Sequence, residues 1–226
     1  DCGYTSYVKL KNKNIIDKID RVFITHCHSD HISGLSTLIY ERFFVYGKKT
    51  IIECTEDVSK RVKSYLDICG HVEEQYVINI ENLFIEDEMI SVTKINTSNH
   101  HWPINNFPNS GLLFHFDTGD DYIVLIYSGD INIPITNLMN PELYSFVYEK
   151  PENVFIFHDM TSMVHENNPH TNFKLLETVM SKFKNLYTYH HNEEDVKIIN
   201  KYNPKLALTS LIIQGDDFVI EKNKGI

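Results

Sequence analysis

The sequence predicts an α/β sandwich in which two mixed sheets are covered by helices. Short runs rich in β-branched and aromatic residues alternate with amphipathic segments along the 226 residues. No internal repeat, low-complexity tract or Pro/Gly/Ser-rich linker interrupts this alternation, so a single domain is expected over residues 1–226. A group of histidines and an aspartate directly follows an early apolar strand. The sequence therefore predicts both the fold class and the position of a candidate site.

The first half of the chain alternates helices with short strands. Val58, Val62 and Leu66 recur at helical spacing and predict an amphipathic helix with one buried face. The elements expected here are, in order, a helix at Tyr4–Asn12, a strand at Arg21–Ile24, a helix at Leu35–Glu41, a strand at Thr50–Glu53, a helix at Asp57–Leu66 and a strand at Tyr76–Ile80.

The second half begins with strands and then resumes the alternation. The apolar run Tyr122–Tyr127 is typical of a buried strand. The elements expected here are strands at Glu88–Thr97, Leu112–Phe116, Tyr122–Tyr127 and Val154–Phe157, a helix at Asn172–Lys184, a strand at Leu186–Tyr189, a helix at Glu194–Tyr202, and closing strands at Leu206–Thr209 and Phe218–Glu221.

Composition limits the possible partners. The formal net charge of −10 opposes binding to long nucleic acids, which depends on Lys and Arg contacts to phosphates. No window approaches the ~18 consecutive apolar residues of a membrane-spanning helix. The four cysteines form no CxxC pair, which favours a reducing, cytoplasmic setting.

The run Thr25–His31 (THCHSDH) carries the strongest chemical signal. Alternate side chains of an extended segment point the same way, so His26 and His28 can share one cation. Asp30 and His31 follow on the turn and can hold a second one. Imidazole and carboxylate are ligands of zinc, and less typically of iron or manganese. Cys27 is expected to point away and belong to the core.

This run resembles the metal-binding motif of the metallo-β-lactamase superfamily, and the upstream Asp1-Cys2-Gly3 resembles its Asp-x-Gly strand end. The resemblance implies an αββα sandwich. Family members normally carry further strands before this point, so an N-terminal segment is expected to be absent from the numbering.

The resemblance also implies the remaining ligands. Either His100 or His101 would supply the third histidine, and we favour His100. Ser128-Gly129-Asp130 resembles the motif whose carboxylate bridges two metals, and His190 stands where the last ligand is expected, with His191 as its neighbour. The implied sets for two zinc ions are His26, His28, His100 and Asp130 on one, and Asp30, His31, Asp130 and His190 on the other.

Two further motifs resemble those of tRNase Z and related phosphodiesterases. His158-Asp159-Met160-Thr161 is similar to their His-Glu-Ala-Thr motif, with Asp159 in place of the longer Glu, and His170-Thr171 is similar to their His-Ser-Thr motif. The resemblance implies that His170 contacts the phosphate as an acid, that Asp159 orients His170, and that Asp30 orients the attacking hydroxide.

The absence of a basic insertion between these motifs indicates the substrate class. The tRNA-processing members insert a basic arm between these motifs, whereas Ile131–Phe157 contains one basic residue, Lys150. The chain is similar to compact phosphodiesterases that act on cyclic nucleotides, including phage and bacterial anti-CBASS nucleases. It would then act in the cytoplasm, the host's if phage-encoded.

Three alternative functions stay open at this point. The first is tRNA 3′ processing. The second is a thioesterase or lactonase on the same fold, which would not need His170 or Asp159. The third is a protein that sequesters nucleotides without cleaving them.

Two groups of aromatic residues have no assigned role. Trp102 and Phe107 either stack on a nucleobase or pack their loop. The cluster Tyr40–Tyr46 is core, a dimer surface or a lid. A homodimer is expected.

Overall fold

The computed structural model describes residues 1–85, 89–100, 107–139, 141–162, 170–180, 183, 185–190, 195 and 197. The elements of the first half are α1 (Tyr4–Asn12), β1 (Arg21–Phe23), α2 (Ser29–Ile32), α3 (Leu35–Tyr46), β2 (Thr50–Glu53), α4 (Glu56–Ile68), β3 (Tyr76–Asn79) and β4 (Leu83–Ile85). The elements of the second half are β5 (Ile90–Asn96), β6 (Ser110–Asp117), β7 (Tyr122–Tyr127), α5 (Pro141–Glu149), β8 (Val154–Asp159), α6 (Phe173–Met180) and β9 (Asn185–Tyr189).

Within the described residues the strands form two sheets, and only one of them is mixed. The smaller sheet has the order β1-β2-β3, and both of its pairings are parallel. The expectation of two mixed sheets is therefore corrected for this sheet. The reason is its connections, because α2 with α3, and then α4, cross over between successive strands and return the chain in the same direction.

The larger sheet has the order β4-β5-β6-β7-β8-β9. Strands β4 to β7 pair antiparallel, whereas β7, β8 and β9 pair parallel. Parallel neighbours end at the same edge of a sheet. The residues that follow β7, end β8 and follow β9 are consequently brought to one edge.

Each sheet has its own apolar core, and the two sheets also contact each other. Val22, Leu38 and Val62 belong to the core beneath α3 and α4, while other buried residues, including Val124 and Ile156, form the core of the larger sheet. Between the sheets, the rings of Phe23 and Phe114 meet edge to face at 5.0 Å. Lys94 Nζ lies 3.2 Å from Glu53 Oε2, and both side chains are almost fully buried.

Most of the expected elements are present, with some differences. Helix α3 runs on to Tyr46, five residues past its expected end, and stops at Gly47, whose φ of 66° suits glycine. Strand β4 and helix α5 were not expected. The expected elements at 194–202, 206–209 and 218–221 lie outside the described residues, apart from Asp195 and Lys197. No helix of the described part is long and apolar enough to cross a membrane.

Candidate metal centre

The loop after β1 holds the first pair of histidines. His26 is fully buried and His28 is partly buried, and their ring centroids are 4.8 Å apart. The N–H of Ile24 donates to the carbonyl of Glu53 at 2.9 Å, which continues the parallel pairing up to the loop. One ligand atom each from His26, His28 and Asp130 lies within 4.8 Å of the others, so the three can share a cation.

Helix α2 supplies the second pair. His31 is buried and Asp30 is exposed, and His31 Nε2 lies 3.4 Å from Asp30 Oδ2. His190, at the end of β9, places its Nε2 3.3 Å from the same carboxylate oxygen. Asp30, His31 and His190 form a second group with ligand atoms within 4.8 Å.

Asp130 lies between the two groups. Its Oδ2 is 3.5 Å from Nε2 of His26, and its Oδ1 is 3.2 Å from Nε2 of His31. Among the described residues, the buried Oδ1 accepts no hydrogen bond of normal geometry. A buried carboxylate oxygen without a donor is costly, and a cation would compensate for it.

A glycine makes this position possible. Gly129, directly before Asp130, has a φ of 62°, and a Cβ there would lie 2.6 Å from the carbonyl oxygen of Ser110. A larger residue would force the chain away from β6. The Asn109 side-chain amide donates to the carbonyl of Asp130, which fixes the backbone next to the carboxylate.

Asp1 and Thr25 fix the orientation of two histidine rings. Nδ1 of His31 donates to Asp1 Oδ2 at 2.8 Å. The Thr25 hydroxyl donates to Asp1 at 2.9 Å and accepts from His26 Nδ1 at 3.0 Å. Both rings therefore turn Nε2 toward Asp130. Metal-ligand histidines characteristically have their second nitrogen held in this way.

The phosphodiesterase-like motifs lie beside the second group. His170 Nδ1 donates to Asp159 Oδ2 at 2.8 Å, so the shorter Asp does reach the histidine. The backbone N–H of Ile131 donates to the same oxygen at 3.1 Å. His190 Nδ1 lies 3.3 Å from Asp159 Oδ1, and Asp130, Asp159, His170 and His190 form a third possible ligand group.

The backbone of His190 is strained, since its φ is 70°, a region that few residues other than glycine adopt. Strain at a residue with functional neighbours indicates that the surroundings hold it in place.

The carboxylates shift the histidine pKa values in the metal-free chain. Burial lowers the pKa of His31, but the adjacent carboxylates of Asp130 and Asp30 outweigh it and raise the pKa to about 9. Burial likewise opposes the charge on His190, yet Asp159 and Asp30 raise its pKa to about 10. Burial lowers the pKa of His26. The carboxylates of the centre thus favour protonated imidazoles, and a bound cation would offset the same negative charge.

The structure does not place every expected ligand. His100 ends a 3₁₀ turn at Ser98–His100 and belongs to none of the three groups found among the described residues. Its backbone is held by Thr97 and Asn132, at 2.9 Å each. The choice of His100 as third histidine is therefore not supported by this geometry. His101, the alternative, and Trp102 lie outside the described residues.

Cys27 is half-buried and packs against the smaller core. Burial, opposed by the charge of Arg61, raises the pKa of its thiol to about 11. A protonated thiol agrees with its interpretation as a core residue.

Sequence reasoning assigned no role to several residues that shape the centre. Asp1 was noted only as part of a motif, and Thr25 only as part of the histidine run. Tyr127 donates to Asp1 Oδ2 at 3.1 Å, and Tyr189 donates to the carbonyl of Gly129 at 2.9 Å. The position of both tyrosines at strand ends beside motif residues was the available signal.

The donor atoms fit divalent cations. Buried imidazole nitrogens and carboxylate oxygens converge, two of the rings are held through Nδ1, and one buried carboxylate oxygen lacks a donor among the described residues. This is the chemistry of zinc and related first-row metals.

Sequence comparison identifies the family and several similar proteins. A sequence model of the family "Anti-Pycsar protein Apyc1" matches residues 1–208. The chain is 34% identical over 99 residues to ribonuclease Z of Listeria monocytogenes serotype 4b (strain CLIP80459), which is 41% of this chain and 32% of that protein. It is 39% identical over 59 residues to the anti-Pycsar protein Apyc1 of Paenibacillus sp. (strain J14), which is 26% of this chain and 24% of that protein. The matched segments thus span a third or less of these relatives.

The fold is shared with solved structures. The metallo-beta-lactamase fold protein YhfI from Bacillus subtilis superimposes with a TM-score of 0.64 at 15% identity, over 93% of this chain and 80% of that one. This similarity confirms the metallo-β-lactamase fold. The family that matches is an anti-Pycsar family, whereas the motifs were compared with anti-CBASS nucleases. The motifs could not separate these groups, because they are common to the superfamily.

Proposed function

This chain belongs to the anti-Pycsar protein Apyc1 family, and on that premise we propose that it is a two-metal phosphodiesterase that hydrolyses small cyclic nucleotides. One observation carries the proposal. The two oxygens of the buried Asp130 carboxylate face different histidines, His26 on one side and His31 on the other. A carboxylate between two sets of imidazoles fits a pair of cations, for which zinc is our first choice and manganese or iron the alternatives.

Bound divalent ions would lower the pKa of water toward neutrality and stabilise the negative charge of the phosphate. Asp30 is exposed and adjoins both His31 and His190, so its carboxylate is placed to accept a hydrogen bond from the attacking water. The attack forms one P–O bond while the bond from phosphorus to the leaving ribose oxygen breaks.

His170 is suited to supply the proton that the leaving oxygen needs. Its Nδ1 is held by Asp159 at 2.8 Å, which directs the opposite nitrogen, Nε2, away from that carboxylate. Asp159 is itself fully buried and receives the Ile131 N–H, so the pair is held in position. General-acid assistance of this kind typically contributes about 10²–10⁴-fold to a rate.

The segment after Asp130 supports a small substrate. Between Asp130 and His158 the chain forms short turns, α5 and the start of β8, and its one basic residue, Lys150, pairs with Asp121 at 2.8 Å. No positive charge in this segment is left to grip a polyanion. The net charge of −10 points the same way.

The similarity to ribonuclease Z supports tRNA 3′ processing as a second candidate. It is the weaker one, because a tRNA substrate needs a basic contact surface that the segment 131–157 does not supply.

Assays on the purified chain, loaded with zinc or with manganese, test the proposal. The substrates are cyclic mononucleotides, cyclic dinucleotides, a precursor tRNA and a thioester. We expect hydrolysis of cyclic nucleotides that a chelator stops and added metal restores. Cleavage of the precursor tRNA with no action on any cyclic nucleotide would overturn the substrate assignment. Thioester cleavage alone would overturn phosphodiester chemistry as well.

The assembly is also part of the proposal. We propose that the protein is a homodimer in which a loop of one subunit helps to close the site of the other. We also propose that it acts in the cytoplasm. In support, Phe44 and Tyr46 at the end of α3 are 68% and 42% exposed, and exposed aromatic residues favour interfaces. Sedimentation of the active enzyme tests this, and an active monomer would remove the shared site.

A further inference from the structure

An aromatic ring connects the histidine pair to a cationic side chain. Phe107 is only 8% exposed, and its ring centroid lies 4.7 Å from that of His28 and 6.2 Å from that of His26. The guanidinium carbon of Arg61, on α4, lies 4.2 Å from the centroid of the same ring. A cation–π contact therefore holds Arg61 on the ring of Phe107, which in turn packs against the histidine pair.

Arg61 differs from the other basic residues around it. Lys60 pairs with Asp57 at 3.2 Å and Lys63 with Glu73 at 2.8 Å, both on the surface of the same helix. Arg61 is exposed; it stacks on Phe107 and its charge acts on Cys27, but within the described residues it forms no ion pair with a carboxylate. In a chain of net charge −10, an arginine without a carboxylate partner there is available to another anion.

Among the described residues, the centre itself contains no lysine or arginine that could bind an anionic substrate. Its carboxylates are Asp1, Asp30, Asp130 and Asp159. Across the described part of the chain, their side chains pair with histidine, threonine, tyrosine and backbone N–H groups, and with no lysine or arginine. A phosphate that approaches these carboxylates is repelled unless cations offset them.

We propose that Arg61 is a positioning residue that binds an anionic phosphate oxygen of the substrate, with Phe107 holding the guanidinium in place. A guanidinium presents paired N–H donors whose geometry matches phosphate oxygens. The guanidinium and the His28 ring both contact Phe107, so these donors lie one aromatic ring away from a candidate metal ligand and near the phosphate of a substrate bound there. The proposal rests on the phosphodiesterase function and specifies how that site holds its substrate.

The contact exists in the bound substrate as well as during reaction, so it acts on binding more than on turnover. For R61A we expect KM to rise about tenfold, the equivalent of one charge-assisted hydrogen bond, with kcat changed by less than about threefold. R61K should recover part of the loss. K63A, two residues along the same helix, should match the wild type. The KM of the wild type should rise more steeply with salt than that of R61A.

Equilibrium binding separates this inference from the proposed function. Titration calorimetry of the zinc-loaded proteins with the 5′-monophosphates of adenosine and cytidine requires no turnover. We expect both nucleotides to bind R61A about tenfold more weakly than the wild type, with equal zinc content. If the wild type cleaves no phosphodiester but shows this difference, the function fails and the phosphate contact stands.

Several results would overturn the role of Arg61. These are equal nucleotide binding by wild type and R61A, failure of the wild type to bind either nucleotide, an effect on one base only, or loss of zinc in R61A. The last would mean that Arg61 acts on His28 and not on the substrate.

Discussion

Asp1 Oδ2 accepts a hydrogen bond of 2.8 Å from Nδ1 of His31, although the two residues lie on different segments. The same carboxylate accepts a hydrogen bond from the Thr25 hydroxyl, which in turn orients His26. One side chain therefore sets the direction of two candidate ligands, and the chemistry of the centre depends on a residue outside the histidine run.

We expect Asp1→Asn to bind zinc about 10–100-fold more weakly than the wild type, because amide substitution weakens the hold on both rings. Competition with a fluorescent chelator measures this affinity. Asp57→Asn, a substitution on the surface of α4, is the matched control. Unchanged affinity in Asp1→Asn would show that the rings are held without it.

Asp130→Ala should reduce both metal content and turnover, since its two oxygens face both ligand groups. We expect less than half of the wild-type zinc by elemental analysis and turnover lowered by more than about 10²-fold. Asp120→Ala, in the exposed turn before β7, should leave both unchanged. Two equivalents of zinc in Asp130→Ala would contradict its position between two ions.

His170→Ala should lower turnover by about 10²-fold or more and retain the metal, as expected of a general acid. Asp159→Asn should have a similar effect, and the double variant should be little worse than either single one, because the pair acts as a unit. The substrate must have a poor leaving group, since a nitrophenyl ester needs little protonation. Loss of metal from His170→Ala would instead make it a ligand, as the third group of donors allows.

Metal binding should release protons. In the metal-free chain the pKa values of His31 and His190 are raised from 6.5 to about 9 and about 10, so both are charged at pH 8. Zinc requires their neutral form, and calorimetry at pH 8 in buffers of different ionisation enthalpy should detect about two protons released. An enthalpy of binding that is independent of the buffer would contradict these charges.

The same groups set the pH dependence of the metal-free protein. A raised folded pKa stabilises the fold fully below the unfolded value of 6.5, and that stability is lost as pH rises through about 9 to 10. We therefore expect the Tm of the metal-free protein to fall over this interval. His31→Gln should reduce the fall, and an equally large fall in that variant would exclude this origin.

The sequence predicted the centre best where ligands are local or follow a strand. The spacing of His26, His28, Asp30 and His31 within one run predicted a metal site. Asp130 and His190 were implied by the resemblance of the motifs that follow two strands. The contact of Asp1 with His31 joins two segments and has no periodicity to reveal it. His100 stays a prediction, because two adjacent histidines at a strand end give no sign of which ring points inward.

The fold was predictable to a similar extent. Strands Thr50–Glu53 and Tyr122–Tyr127 have the expected bounds because buried β-branched runs end at polar residues. Strand β4 has three residues, too few to show alternation. Helix α5 begins at Pro141, whose preference for the first helical turn was an unused signal.

The location of the candidate ligands at the ends of β1, β7 and β9 has a consequence for the order in which the protein matures. A growing chain that has reached only β2 already carries His26, His28, Asp30 and His31, but neither Asp130 nor His190. The ribosome must release most of the polypeptide, and the parallel strands β7, β8 and β9 must align, before all these donors meet. We therefore expect a bound metal to stabilise a nearly complete fold and not to direct the early folding steps. A truncated translation product would carry only part of the ligand set and would bind its ion weakly.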